Sequence, residues 1–383
     1  MLKKMMILAL AVCFMATGFG PAAAADTIKI GFNAPLTGFA ASDGKSSTEG
    51  AKLAVNQINK AGGVLGKQLE LIIYDDQAKP AQSIPIANKL IGRDKVVLGI
   101  SGSYSGATRS AAGVFQENKV PYISAYAIHP DITRAGDYVF RTSFLGEVQG
   151  KAGAKLIGDI MGKKRVVVIT LQNDFGKSLA AGFKEVASTY GITIINEYQY
   201  SIKDRQFGSI VATVKADNPE AIYASGYFFT AGPLVSQLRA AGVTVPVIGQ
   251  EGYDSQKFIE IAGKAAEGVI ITTSLDRDSK VKETADFITA FEKQAGFKAD
   301  MVAASGHTAV MVAAKAIEQA GSTDPKAIRD AIAAVELKVS TGTIKFNALG
   351  EVMKAVQVQI VKDGNWHHYA VIDDPALLAP PAK

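Results

Sequence analysis

Arg165-Val166-Val167-Val168-Ile169-Thr170-Leu171 runs apolar without alternation. A strand with one wet face alternates, so this unbroken run predicts a strand buried on both faces, as in a parallel sheet covered by helices on each side. The neighbouring segments repeat the same unit. Helical spacing near Val148 to Ile160 leads into the strand and a helix at Gly176 to Thr189 follows it. Next come a strand at Ile192 to Tyr198, a helix near Phe207 to Ala216, a strand at Ala221 to Ala224 and a helix at Ala231 to Ala241. Val245 to Ile248 and Gly268 to Thr272 read as two further strands.

Upstream of Arg141 the rhythm is the same. Asp26 to Asn33 is a strand ending in the turn Ala34-Pro35-Leu36-Thr37-Gly38. Ala51, Ala54, Val55 and Ile58 give a helix from Ser47 to Lys60, stopped by Gly62-Gly63. Leu69 to Tyr74, Val96 to Ile100 and Val120 to Ser124 are strands, with helices at Pro80 to Ile91, bent at Pro85, and Ser105 to Gln116. Val281 to Val335 is helical throughout, with Met301 to Ala320 its longest element. Ala355 to Val361 and Trp366 to Ile372 form a hairpin turning at Lys362-Asp363-Gly364-Asn365. The fold class is therefore α/β, in two halves of comparable size.

At 383 residues the chain is long enough for two domains, and 48% hydrophobic with 20% charged residues is an ordinary globular balance. Two lysines, the apolar run Met5 to Met15 and Ala23-Ala24-Ala25 ahead of Asp26 have the three parts of an export leader over residues 1–25. The run is too short to span a bilayer. Cleavage after Ala25 places the working protein in the periplasm, where ATP and reduced nicotinamide are not supplied. The formal charge of +5 falls when Lys3 and Lys4 leave, and its interleaved signs argue against nucleic acid.

Catalytic motifs fail on inspection. Cys13, the single cysteine, lies in the leader, and the four histidines include no H-E-x-x-H pair. Gly44-Lys45-Ser46 and Gly176-Lys177-Ser178 look like phosphate loops, but Phe39 and Leu171 stand where the first glycine must be. Ser103 with His129 is the one pair that a secreted serine hydrolase could use. No catalytic residue, metal or cofactor is otherwise expected.

Ligands of open α/β sheets bind at the carboxyl ends of the strands. Those ends carry Thr37, Ser42 and Asp43, then Ser101 to Ser105 and Tyr126 to His129. The second half offers Asn173 to Phe175, Tyr227 to Thr230 and Gln250 to Asp254, which suggests a cleft between halves.

The chain resembles the branched-chain amino-acid-type substrate-binding proteins of ABC importers. The resemblance is carried by Ala34 to Gly38, Glu49-Gly50-Ala51-Lys52-Leu53-Ala54, Ile58-Asn59 with Gly62-Gly63, and Tyr74-Asp75-Asp76. It continues through Pro130-Asp131-Ile132-Thr133, Arg141-Thr142, Asp174-Phe175-Gly176 and Gly249-Gln250-Glu251-Gly252. The resemblance implies a type I periplasmic-binding fold with two lobes, 26–143 plus 276–348 and 144–275 plus 349–383. Hinge crossovers then fall near Arg141 to Leu145, Thr272 to Asp276 and Lys345 to Gly350. It implies that Ser103 holds a ligand carboxylate, Glu251 pairs with an α-ammonium, and Phe175 and Tyr227 close over the ligand. Two positions depart from the pattern: Ile128 replaces a threonine and Tyr126, beside Ala127, replaces a small residue. Ala78 and Gly102 occupy the positions of a disulfide that some relatives carry. The implied partners are a small amino acid or carboxylate and an inner-membrane permease, the protein itself being a monomer. A sensor that presents its closed form to a receptor is the alternative binding role.

Overall fold

The computed structural model describes residues 26–380; the leader reading and Cys13 lie outside them. The first half of the chain runs β1 (Ile28–Ala34), α1 (Ala41–Lys60), β2 (Leu69–Asp75), α2 (Pro80–Gly92), β3 (Leu98–Ser101), α3 (Ser105–Glu117), β4 (Tyr122–Ser124) and β5 (Val139–Arg141). The five strands form one parallel sheet in the order β2-β1-β3-β4-β5.

The chain then crosses into a second sheet through α4 (Gly146–Lys155), which ends in a π-helical turn at Leu156–Ile160. There follow β6 (Arg165–Leu171), α5 (Asp174–Val186), β7 (Thr193–Tyr200), α6 (Gly208–Asp217), β8 (Ala221–Ala224), α7 (Phe228–Ala240), β9 (Val247–Gly249), α8 (Gln256–Ala262) and β10 (Ile270–Thr273). β6 lies between β7 and β8, and Val166 to Leu171 is buried throughout, as its composition requires.

A second crossing returns the chain to the first lobe as α9 (Lys282–Ala295), α10 (Met301–Ala320), α11 (Pro325–Ala333) and the hairpin β11 (Glu336–Val339) with β12 (Gly342–Lys345). A third crossing delivers β13 (Val356–Lys362), β14 (Asn365–Ile372) and the short α12 (Pro375–Leu378). β13 pairs antiparallel with β10, completing a seven-stranded second sheet. Its hairpin turns on Asp363 (φ 52°) and Gly364 (φ 72°), the left-handed pair that a tight two-residue turn needs. Among the described residues no helix is long and apolar enough to cross a membrane.

The structure changes three expectations. α1 starts at Ala41, well before Ser47, because its first turns bury polar residues (Asp43, Ser46, Ser47) that give no amphipathic signal. The helical stretch after Val281 is three helices, broken where Gly296 (φ 75°) and Gly321 (φ 58°) adopt left-handed conformations. β5, β11 and β12 are too short to register as periodic.

α10 reaches the site through its contact with α1. A Cβ on Gly50 would stand 2.0 Å from the Ala303 carbonyl oxygen, and one on Gly306 would stand 2.3 Å from that of Ser47. Glycine at both positions lets the helix backbones touch. The touch brings the α10 start beside the α1 start, where the Ser46 hydroxyl donates to Asp300 at 2.6 Å.

Candidate functional site between the lobes

The loops after β3, β4, β6, β8 and β9 converge on one small cavity. Asp43, Tyr104, Ser105, Tyr126 and Ala127 line it from the first lobe, and Phe175, Tyr227, Glu251 and Gly252 from the second. Met301 and Val302, at the start of α10, close one side. The free space inside it is about 20 Å³, enough for about one water. Aromatic rings fill the rest. Tyr104 and Tyr227 stack across the lobe boundary with centroids 4.1 Å apart and planes at 3°, and Phe175 stacks behind Tyr227 at 4.7 Å. Tyr126 meets Tyr104 edge-on at 6.5 Å. A guest larger than water therefore enters only when Tyr104 and Tyr227 part.

Three further contacts bridge the lobes. Arg109 on α3 reaches Asp174 at 3.1 Å, and Phe39 meets Phe229 at 5.2 Å. The buried Asp254 carboxylate accepts the Met301 N–H at 3.3 Å and the Thr273 hydroxyl at 2.5 Å while pairing with Arg277.

The polar groups of the cavity are mostly acids. Glu251 is 3% exposed, and its Oε2 has no hydrogen-bond partner among the described residues. Burial raises its carboxyl to about 8, against a partial opposing pull from Lys354. Asp43 accepts the Tyr104 hydroxyl at 2.7 Å. Burial raises it too, to about 8, with the Tyr104 bond opposing and Asp300 and Asp254 adding to the rise. Among the described residues no Lys or Arg lines the cavity. Lys354 is nearby but donates to the Thr142 carbonyl at 3.0 Å, and burial lowers its ammonium to about 7. On the other wall α3 begins at Ser105, so its free first-turn amides and positive end lie at the cavity.

Six expected residues meet here: Asp43, Tyr126, Ala127, Phe175, Tyr227 and Glu251. Three are placed elsewhere. Ser103 is fully buried and gives its hydroxyl to Asp76 at 2.9 Å, so Ser105, two residues on, is the serine at the cavity wall. Ile128 packs in the core, and its N–H donates to the Ser105 hydroxyl oxygen at 3.3 Å. Ser42 lines a separate pocket of about 440 Å³ with Lys45, Lys257 and Lys298. The hydrolase pair also dissolves, because His129 uses Nδ1 to accept the Asp131 N–H at 3.2 Å while Ser103 serves Asp76. Tyr104 and Ser105 lay within the strand-end stretch read from sequence. Met301 and Val302 had no local signal, since they arrive through the packing of α10 on α1.

A larger groove, about 940 Å³, follows the crossovers beside Asp276, Asp278, Lys280, Val281, Met353 and His368. Two of its three acids are already engaged, Asp276 with His368 at 2.9 Å and Asp278 with His367 at 3.2 Å. The smaller cavity is the candidate because both lobes line it and because Glu251, fully inside it, keeps an oxygen without a partner among the described residues.

The comparisons agree with this architecture. The model of the periplasmic binding protein family matches residues 27–365, and the chain belongs to that family, whose members are solute-binding proteins and not enzymes. The chain is 32% identical over 331 residues to a leucine-, isoleucine-, valine-, threonine- and alanine-binding protein of Pseudomonas aeruginosa, covering 86% of this chain and 88% of the relative. A Leu/Ile/Val-binding protein homologue of Brucella melitensis is 34% identical, with 89% and 92% covered. Among solved structures, a branched-chain amino acid transporter substrate-binding protein of Streptococcus pneumoniae in complex with isoleucine superposes with a TM-score of 0.85. It is 27% identical, with 91% of this chain and 99% of that one covered.

Proposed function

We propose that this chain captures an amino acid or a similar small carboxylate between its lobes and delivers it to an inner-membrane permease of an ABC importer. It does so as a monomer in the periplasm, after its leader is cut at Ala25. The moving bodies are 26–143 with 276–348 and 144–275 with 349–383, and they close by hinge rotation, the motion general to such binding proteins. The observation that carries this reading is the Glu251 carboxyl, buried with one oxygen unpartnered, on the wall opposite the positive start of α3. An ammonium satisfies the acid while a carboxylate meets the Ser105 hydroxyl and the free amides. The relatives' amino-acid ligands support the same chemistry.

A thermal-shift screen of amino acids and small carboxylates on the mature protein tests this. Amine-bearing hits should raise the melting temperature of the parent and not of Glu251→Ala. A charge-assisted bond contributes about 1.5–3 kcal/mol, or roughly 10–100-fold in affinity. Equal shifts in parent and variant would remove Glu251 from the site.

A further inference from the structure

The family-like assignment leaves one acid unused. An amino acid's ammonium occupies Glu251 and its carboxylate faces the start of α3, yet Asp43 also lines the cavity, 4% exposed. Its side chain accepts the Tyr104 hydroxyl, which an amide oxygen would satisfy as well. Around it stand the rings of Tyr104, Tyr126 and Tyr227, whose faces attract cations. Two acids, one of them with an orphaned oxygen, meet no basic residue on the cavity wall among the described residues.

Resting on the proposed role in ligand capture, we infer that the cavity selects a ligand of net positive charge, a basic amino acid, with Asp43 holding the second cationic group against Tyr104 and Tyr227. A neutral apolar amino acid makes no use of Asp43, which then stays protonated against Tyr104, and a simple aromatic carboxylate adds a third acid to the cavity. A second cationic group gives the Asp43 carboxylate a counter-charge that nothing on the cavity wall supplies.

Proton linkage supplies a test whose sign separates the ligand classes. Asp43 faces Tyr104, Asp300 and Asp254; Glu251 faces Lys354, Asp254 and Arg141. Burial dominates for both, so near neutral pH both acids are largely protonated. A cation binds the carboxylate form and expels protons, so its affinity rises with pH, by up to about tenfold per unit for each proton released. An anionic ligand needs the protonated form, and its affinity falls with rising pH.

The experiment is calorimetric titration of the mature protein with lysine, 1,4-diaminobutane, leucine and benzoate at pH 6, 7 and 8, in buffers of different ionisation enthalpy. Lysine should bind most tightly, release protons and strengthen toward pH 8, with the diamine, which lacks the carboxylate for α3, weaker. Asp43→Asn, which keeps an acceptor for Tyr104, should weaken lysine binding at least tenfold and reduce the proton release. Preference for leucine or benzoate, with Asp43→Asn indifferent, overturns the inference and leaves cleft capture standing. Silence from all four also overturns it, and the wider thermal-shift screen then judges capture separately.

Discussion

The crossovers and the cavity both bury ionisable groups, and they treat them in opposite ways. At the crossovers, Arg141 is fully buried and every part of its guanidinium is used. It meets Glu351 through Nε and Nη2, both at 2.9 Å, and donates to the carbonyls of Ala127 at 2.8 Å and His129 at 2.9 Å. Thr133 adds its hydroxyl to Glu351. The pair ties the first crossover to the third. In the cavity, Glu251 and Asp43 are buried as deeply without any such cation on the wall. A completed network marks a joint, and an incomplete one marks a place where something else supplies the missing charge.

The largest effect should come from breaking the joint. Arg141→Met strands the Glu351 carboxylate and should cost about 3–5 kcal/mol in urea unfolding. Arg141→Met paired with Glu351→Leu should recover much of that loss. A single variant as stable as the parent would show that the joint is not under load.

A smaller effect of opposite character belongs to the cavity. The folded-state pKa of Asp43 is raised from 3.8 to about 8, so its contribution to stability is fully present below pH 4 and is lost as pH rises toward 8. The melting temperature of Asp43→Asn relative to the parent should therefore climb steadily between pH 4 and pH 8. His307 and Lys354 titrate with the opposite sign, their pKa values lowered by burial to about 4 and about 7, but they are common to both proteins and cancel in the difference. A flat difference would place Asp43 in water.

The smallest effect is expected at the lobe boundary. Arg109 is 44% exposed and its pairing with Asp174 at 3.1 Å is a surface ion pair, so Arg109→Ala should change unfolding by less than about 1 kcal/mol. Its effect should appear instead as faster ligand release, because the pair exists only with the lobes together. Identical release rates would mean that the pair does not latch the lobes.

Much of this was legible in the sequence. Val166 to Ile169 announced a doubly buried strand, and the repeating strand–helix unit gave both sheets. Lys362 to Asn365 announced the last hairpin. Strand ends marked the stretches that hold Glu251, Tyr227 and Phe175, and the family resemblance singled out those three within them. What stayed hidden depends on rotation and distance. Ser103 lies just before α3 and Ser105 opens it, and only the entry angle of the helix decides which hydroxyl turns to Asp76 and which to the cavity. Met301 and Val302 reach the site through glycines at 50 and 306, a contact across more than half the chain that no local pattern encodes.

The most direct test needs no ligand. Asp43 and Glu251 are buried between the lobes with pKa values raised to about 8, so on the proposed hinge motion closure takes up protons and acid should favour it. Small-angle scattering of the mature, ligand-free protein should give a smaller radius of gyration at pH 5 than at pH 9, with the difference lost in Asp43→Asn/Glu251→Gln. A radius unchanged across that range in the parent would contradict an acid-lined cleft between two moving lobes.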